Sequence, residues 1–256
     1  MRTGVPERPL QIEHADLSLV GNRDENQDRV AIAIDDGAAF LAVVDGMGGH
    51  ADGARAAEVA IRTMVAEFWE ASRPLFDPDG FLHLTVGRAH EAVVALGHGL
   101  PQEIRPRATC AVCIVQGANA YWAHVGDSRI YLLRGGRVHE RTRDHSHVEL
   151  LLRAGRITER QAHDHPMRNY VECCLGGEPS LPEMSISMRQ PLLDGDVLLV
   201  CTDGIWSNLK DSEIAGFWRP GNGSCGDSIK ALAEQAMTAS APHSDNVSAA
   251  GLCWRM

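Results

Sequence analysis

Hydrophobic positions along this chain change period several times, and each change predicts an element. Short apolar runs at 16–21, 29–34 ("RVAIAI") and 39–44 ("AFLAVV") read as strands, the third apolar enough to be buried on both faces. From Gly53 the period lengthens, and Ala57, Ile61, Met64, Val65 and Phe68 share one face of a helix running to about Ala71, beyond which stand Pro74 and Pro78. A second helical stretch covers about 80–97. Three further strand-like runs follow, "TCAVCIVQ", "AYWAHVG" and "RIYLLR", broken by "GAN" and "GDS" and closed by "RGGR", which together predict an antiparallel meander. Residues 145–180 read as irregular with short helices. "MSISMRQ", "DVLLVC" and "NVSAAGLCW" then predict strands, and 211–218 and 227–239 predict helices. Strands clustered around a few helices fit one α+β domain over residues 1–256, with its sheets in the middle.

Composition narrows the function classes. At 256 residues and 44% hydrophobic content the chain can bury a sizeable core, and its net charge of −10, from 34 acidic against 24 basic residues, disfavours nucleic-acid and anionic-membrane partners. The N-terminal stretch has no continuous apolar segment, and the longest apolar run, around Ala38 to Val44, falls far short of the ~18 residues of a spanning helix. A cytoplasmic location is expected. Seven cysteines, among them the adjacent pair Cys173-Cys174, suit a reducing compartment. Cys110 and Cys113 lie three apart in a strand, hence on opposite faces, so a metal or redox bond shared between them is not expected.

Acidic residues stand at strand ends and turns: Asp28 in "RDENQD", Asp45 in "VVDGMGG", Asp127 in "HVGDSR", Asp203 in "LVCTDG" and Asp245 in "HSDNVS". Taken singly, each reads as a turn residue, because Asp bonds nearby backbone amides and a following Gly accepts unusual dihedrals. Two of the Asp-Gly pairs, however, follow strongly apolar runs. Carboxylates delivered together by buried strands repel unless protonated or neutralised by a cation, and oxygen-only ligands select Mg²⁺ or Mn²⁺. The histidines of "DHSH" and "HDHP" lack the spacing and thiolate partners of a zinc site and read as surface or hydrogen-bonding groups. Arg23, five residues before Asp28, carries a fork suited to a phosphate, or else pairs with Asp24 or Glu25 at the surface.

In order, "RDENQD", "VVDGMGGHADG", "AHVGDSRIYLLRGG", "RDHSHVELLLRAGRIT", "HPMRNYVECCLGG", "DVLLVCTDGIWSNLKDSEI" and "SDNVS" resemble the motifs of the metal-dependent serine/threonine protein phosphatases of type 2C, in their compact bacterial form. The resemblance implies a four-layer α-β-β-α sandwich, two central antiparallel sheets flanked by helices, with a two-metal centre at one end. It implies that Asp45 bridges two Mn²⁺ or Mg²⁺ ions, with the Gly46 carbonyl on one and Asp203 and Asp245 completing the other's shell. Asp28 holds water, Arg23 holds the substrate phosphate, and Asp127 contributes to a third metal; Arg23, Asp45 and Asp203 carry catalysis. Residues 145–180 match a flap beside the site. The implied reaction is hydrolysis of phosphoserine or phosphothreonine in proteins by in-line attack of a metal-activated water, opposing a bacterial Ser/Thr kinase, in a monomer.

Three positions depart from that pattern. Gln27 stands where many relatives carry Glu, Met47 where eukaryotic forms carry a histidine, and Arg107-Ala108-Thr109 where Gly-Thr-Thr is usual, the last placing local strand packing in question. Two other readings of the same residues are a catalytically weak phosphoprotein-binding relative and a phosphatase of small phosphate esters.

Overall fold

The computed structural model describes residues 12–35, 37–47, 52–219 and 221–255. The N-terminal stretch and the Gly48-Gly49-His50-Ala51 part of the second motif lie outside the described residues. The first half of the chain runs β1 (Ile12–Leu19), β2 (Asp28–Asp35), β3 (Ala38–Met47), α1 (Gly53–Glu70), α2 (Pro78–Leu96), β4 (Arg107–Gln116), β5 (Asn119–Val125), β6 (Arg129–Arg134) and β7 (Arg137–Arg141). It continues α3 (His147–Arg153), α4 (Glu159–His163), β8 (Leu175–Gly176), β9 (Ser185–Ile186), β10 (Gln190–Pro191), β11 (Val197–Cys201), α5 (Asp203–Trp206), α6 (Asp211–Gly216), α7 (Cys225–Ser240) and β12 (Val247–Trp254).

Two antiparallel sheets result, the first ordered β10-β5-β4-β3-β2 with β8 and β9 added beside β4 and β5, the second ordered β1-β12-β11-β6-β7. Period-2 alternation builds the layers. In β3, Leu41 and Val43 join Ile130, Leu198 and Leu252 in the core between the sheets. Their neighbours Phe40, Ala42 and Val44 face Met64, Phe68 and Val86 of α1 and α2 on the other side. On the second sheet Leu199 and Ala249 face Ile229 and Leu232 of α7. The sandwich is therefore α-β-β-α, as the motifs implied, and β3 is buried on both faces. Cys110 and Cys113 fall into different cores, Cys110 under the helices and Cys113 between the sheets.

The expected meander is not what forms. β4 and β5 pair, but β6 leaves for the other sheet and pairs with β7 and β11. The crossing is made at Gly126, whose φ of +98° would strain any other residue, and where a Cβ would lie only 2.5 Å from the Thr109 Cβ. "GDS" is thus a corner between sheets. The "MSISMRQ" stretch likewise yields only the two-residue strands β9 and β10, both at the edge of the first sheet. β1 begins four residues before the predicted start because "IEHA" alternates too weakly to read, yet pairs with β12. β7, unread in the sequence, is the return arm of the "RGGR" turn. Cap chemistry sets other boundaries: Asp77 caps α2 through the Gly80 amide, and Ser224 with Asp227 forms a capping box that starts α7 two residues early.

One buried histidine ties the first sheet to segment 145–180. The His124 ring on β5 stacks on His145 with centroids 4.5 Å apart, and its Nε2–H donates to the Arg143 carbonyl at 2.7 Å. The Gly126 amide donates to His145 Nδ1, which leaves His145 Nε2–H to donate to Ser185 Oγ at 2.8 Å. Burial, and then the facing His145, push His124 down to about 4. Because that lies below the unfolded value of about 6.5, stability is complete above that pH and is lost as pH falls towards 4. Wild-type unfolding free energy is expected to fall by roughly 2–3 kcal/mol between pH 6.5 and 4.5 relative to His124→Gln, which keeps a donor for Arg143. Parallel denaturation curves over that range would remove the charge penalty at His124.

Candidate metal centre

The sequence-predicted acids come together at one end of the sandwich, each delivered by a different piece of chain. β2 and β3 pair with Asp28 directly opposite Asp45, and Asp45 is opposite Thr109 of β4. Like charges facing each other across a ladder destabilise it. Asp203 opens α5 immediately after β11, Asp245 precedes β12, and Asp127 lies in the corner between β5 and β6. Asp28 and Asp127 are buried, while Asp45, Asp203 and Asp245 are largely buried with part of their surface at the opening.

Burial and mutual repulsion both disfavour charge here. Asp45 is held well above the usual carboxylate range by burial first and then by Asp28, Asp203, Asp127 and Asp245. Asp203 is raised in the same way, by burial and then by Asp127, Asp245 and Asp28. Burial pushes Asp28 up to about 6 against a hydrogen bond from the Thr202 hydroxyl at 2.8 Å. Asp127 is pushed up to about 7 by burial and then by Asp144. Arg23 is the cation at the opening: its Nη2 lies 2.7 Å from Asp245 Oδ2, a different partner from the neighbouring Asp24 or Glu25. Beside Asp45, neutral oxygens crowd together. A Cβ at Gly53 would lie 2.8 Å from the Gly46 carbonyl and 2.7 Å from Gln27 Oε1, so Gln27 turns its amide oxygen towards the same place as Gly46.

Among the described residues, no three His, Cys, Asp or Glu side chains close around one point tightly enough to hold an ion unaided. The donor set nonetheless fits a hard cation: several carboxylates and bare carbonyl oxygens, no thiol or imidazole, and a repulsion that positive charge relieves. Mg²⁺-like ions keep part of their water and need few direct protein ligands.

Residues that the sequence reading passed over hold this arrangement. The Asn246 amide accepts from the Gln27 backbone N–H at 2.8 Å and donates to the carbonyls of Val20 and Glu25, fastening the loop that carries Arg23 to the Asp245 segment. Gly204 admits the Asn246 carbonyl to within 2.0 Å of where its Cβ would stand, which brings "TDG" against "SDN". Trp206 Nε1 donates to the Asp127 carbonyl at 3.0 Å, and the Arg129 guanidinium covers the Trp206 ring at 3.5 Å while gripping both oxygens of Asp144. All four lie within the quoted motifs, but nothing in the sequence gave any of them a role.

Arg107-Ala108-Thr109 pairs in register with Met47, Gly46 and Asp45, and Thr109 Oγ1 bonds Ser128 Oγ at 2.7 Å, so that stretch is sound. Segment 145–180 is tied at its base by the Ser146–Val171 bridge and rejoins the sheet at β8. His147 meets Glu172 at 3.0 Å and His165 accepts from the Met167 amide, both hydrogen-bonding roles. The His163 side chain lies outside the described residues.

The fold and its donor set define an α-β-β-α sandwich with an oxygen-lined site for hard cations. The chain belongs to the protein phosphatase 2C family, whose model matches residues 18–240, a span holding Arg23, Asp28, Asp45, Gly46, Asp127 and Asp203 and ending before Asp245. It is 33% identical over 200 residues to the serine/threonine protein phosphatase PstP of Mycobacterium tuberculosis, covering 78% of this chain and 37% of that relative's length. It is 31% identical over 206 residues to the protein phosphatase PhpP of Streptococcus pneumoniae, covering 77% and 80%. The crystal structure of the catalytic domain of PstP in complex with two manganese ions superposes with a TM-score of 0.80 at 27% identity, over 96% of this chain and 99% of that one.

Because native carboxylates are raised above their unfolded values, the metal-free protein gains stability as pH falls through about 7, where Asp127 takes up its proton. Asp45→Asn is expected to raise the melting temperature in EDTA at pH 8, since one repelling charge leaves, and to shrink the further rise on adding Mn²⁺. A lower metal-free melting temperature with an undiminished Mn²⁺ response would contradict the repulsion.

Proposed function

We propose that the chain hydrolyses phosphoserine and phosphothreonine in proteins with the help of two or three Mn²⁺ or Mg²⁺ ions. The observation that carries this reading is the direct facing of Asp28 and Asp45 beside Asp203, Asp245 and Asp127, with Arg23 at the mouth. Family membership and relatives named as serine/threonine phosphatases support it.

Asp45, the Gly46 carbonyl, Asp203 and Asp245 would hold the principal ions, Gln27 would add a neutral oxygen, and Asp127 would serve a third. When bound, such ions supply Lewis acidity and an activated water. The chain's own groups do the rest. Thr202 fixes Asp28, whose carboxylate would orient water at the floor of the site. Arg23, half-exposed and tied to Asp245 by one nitrogen, has further donors for a phosphate at the opening. The cysteines supply no nucleophile here: Cys201, nearest in sequence to Asp203, is buried and its thiol is pushed up by that burial. Met47 has no proton to give, so the leaving alkoxide is protonated by water or another group.

The working unit is a single catalytic domain, monomeric and cytoplasmic, acting on phosphorylated proteins and opposing a Ser/Thr kinase; no described helix is long and apolar enough to cross a membrane. Assaying a phosphopeptide, p-nitrophenyl phosphate and a bis-ester with and without Mn²⁺ tests this. Mn²⁺-dependent turnover of the phosphopeptide, lost in Asp45→Asn, Asp203→Asn and Asp245→Asn variants that remain folded, is the expected result. Phosphopeptide binding without turnover, or turnover confined to the small esters, overturns it. Arg23→Ala is expected to act mainly on KM, by roughly 1.5–3 kcal/mol if one charge-assisted contact is lost. Unchanged kinetics return Arg23 to a structural partner of Asp245.

A further inference from the structure

Far from the carboxylates, two thiols meet where α7 begins on the sheet. Cys225, the first residue of α7, is buried with its Sγ 3.2 Å from where a Gly251 Cβ would stand. Gly251 and Cys253 are two residues apart on β12, hence on one face of the strand. The Cys225 amide donates to Glu13 Oε1 at 2.6 Å, and Glu13 pairs in register with Cys253, so backbone and side chain both bring Cys225 to that position. The two thiols are close enough to shift one another, Cys225 raised and Cys253 lowered by the contact. Beside them the Trp218 indole N–H is buried with no hydrogen-bond partner, and its proximity favours negative charge on both sulfurs.

We propose that Cys225 and Cys253 form a peroxide-sensitive dithiol that closes reversibly to a disulfide between the first turn of α7 and the last strand.

The division of roles follows from the surroundings. Cys253 is half-exposed, and the hydrogen bond from Cys225 holds its thiol below the ordinary range, with Arg255 assisting against burial and Glu13. In contrast, Cys110, Cys113, Cys173, Cys174 and Cys201 are all raised by burial. The Cys253 thiolate attacks one oxygen of hydrogen peroxide. The O–O bond breaks, a sulfenic acid forms and hydroxide leaves, to be protonated to water. Cys225 sulfur then attacks Cys253 Sγ, the S–S bond forms as the S–O bond breaks, and the departing hydroxide takes the Cys225 proton as a second water. Two thiols lose two electrons and two protons, and the peroxide is reduced to two waters. A thiol reductant reverses the closure by exchange.

Trypsin cuts at Lys230, between the two cysteines, and leaves each alone in its peptide, 211–230 and 231–255. The full chain is treated with graded hydrogen peroxide, alkylated and mapped by mass spectrometry. The expected product is the two peptides joined, lighter by about 2 Da than their sum and separated again by dithiothreitol. Cys225→Ser is expected to leave Cys253 as a sulfenic acid trapped by dimedone, and Cys253→Ser to give no joined product. Should a variant fail to fold, iodoacetamide labelling of the untreated wild-type chain decides, with Cys253 expected to react fastest of the seven. Peptides that stay separate while Cys173 or Cys174 is oxidised first, or a Cys253 no faster than its fellows, overturn the proposal.

Discussion

Repulsion among buried carboxylates is the constraint around which this molecule is arranged. The register of β2 on β3 sets Asp28 against Asp45, and the ends of β11 and β12 add Asp203 and Asp245. A hydrophobic sandwich has no use for such a cluster, and left alone it takes up protons, which is why Asp28 and Asp127 are pushed up to about 6 and 7 by burial and their neighbours. Bringing in hard cations relieves the same strain without protons. Under the proposed function, that repulsion is what would supply affinity for the ions.

Holding like charges together requires a frame that does not yield. β3 supplies it at the centre, buried on both faces between the helical core and the inter-sheet core. Side-chain amides and hydroxyls then lock the loops. Asn246 bonds three backbone groups of the segment around Arg23, Thr202 holds Asp28, and Arg129 clamps Trp206 over the Asp127 corner. None of these touches the opening, yet each fixes where a carboxylate points.

What was legible in the sequence was local. Alternation and helical period gave β3, α1 and the two-faced burial of Cys110 and Cys113, and Asp-Gly after an apolar run pointed to the candidate site. What was hidden depends on contacts between distant residues. That β6 joins the other sheet is decided by partners in β11, more than sixty residues on, and a turn of Gly-Asp-Ser serves a hairpin or a corner equally well. Asn246 acts on residues over two hundred positions earlier, and Cys225 and Cys253 become neighbours only when α7 lies on β12. The weak alternation of "IEHA" could become a strand only because β12 offered it an edge.

Protons released on metal binding report the carboxylate repulsion most directly. Titrating Mn²⁺ into the metal-free chain by calorimetry, at matched pH in two buffers of different ionisation enthalpy, counts the protons released as the ions enter. At pH 6.5, below the value of about 7 to which Asp127 is pushed, binding is expected to expel protons from the cluster, fewer at pH 8 and fewer again in Asp127→Asn. Tight binding with no proton release at either pH would contradict the claim that buried, mutually repelling carboxylates are what the cations neutralise.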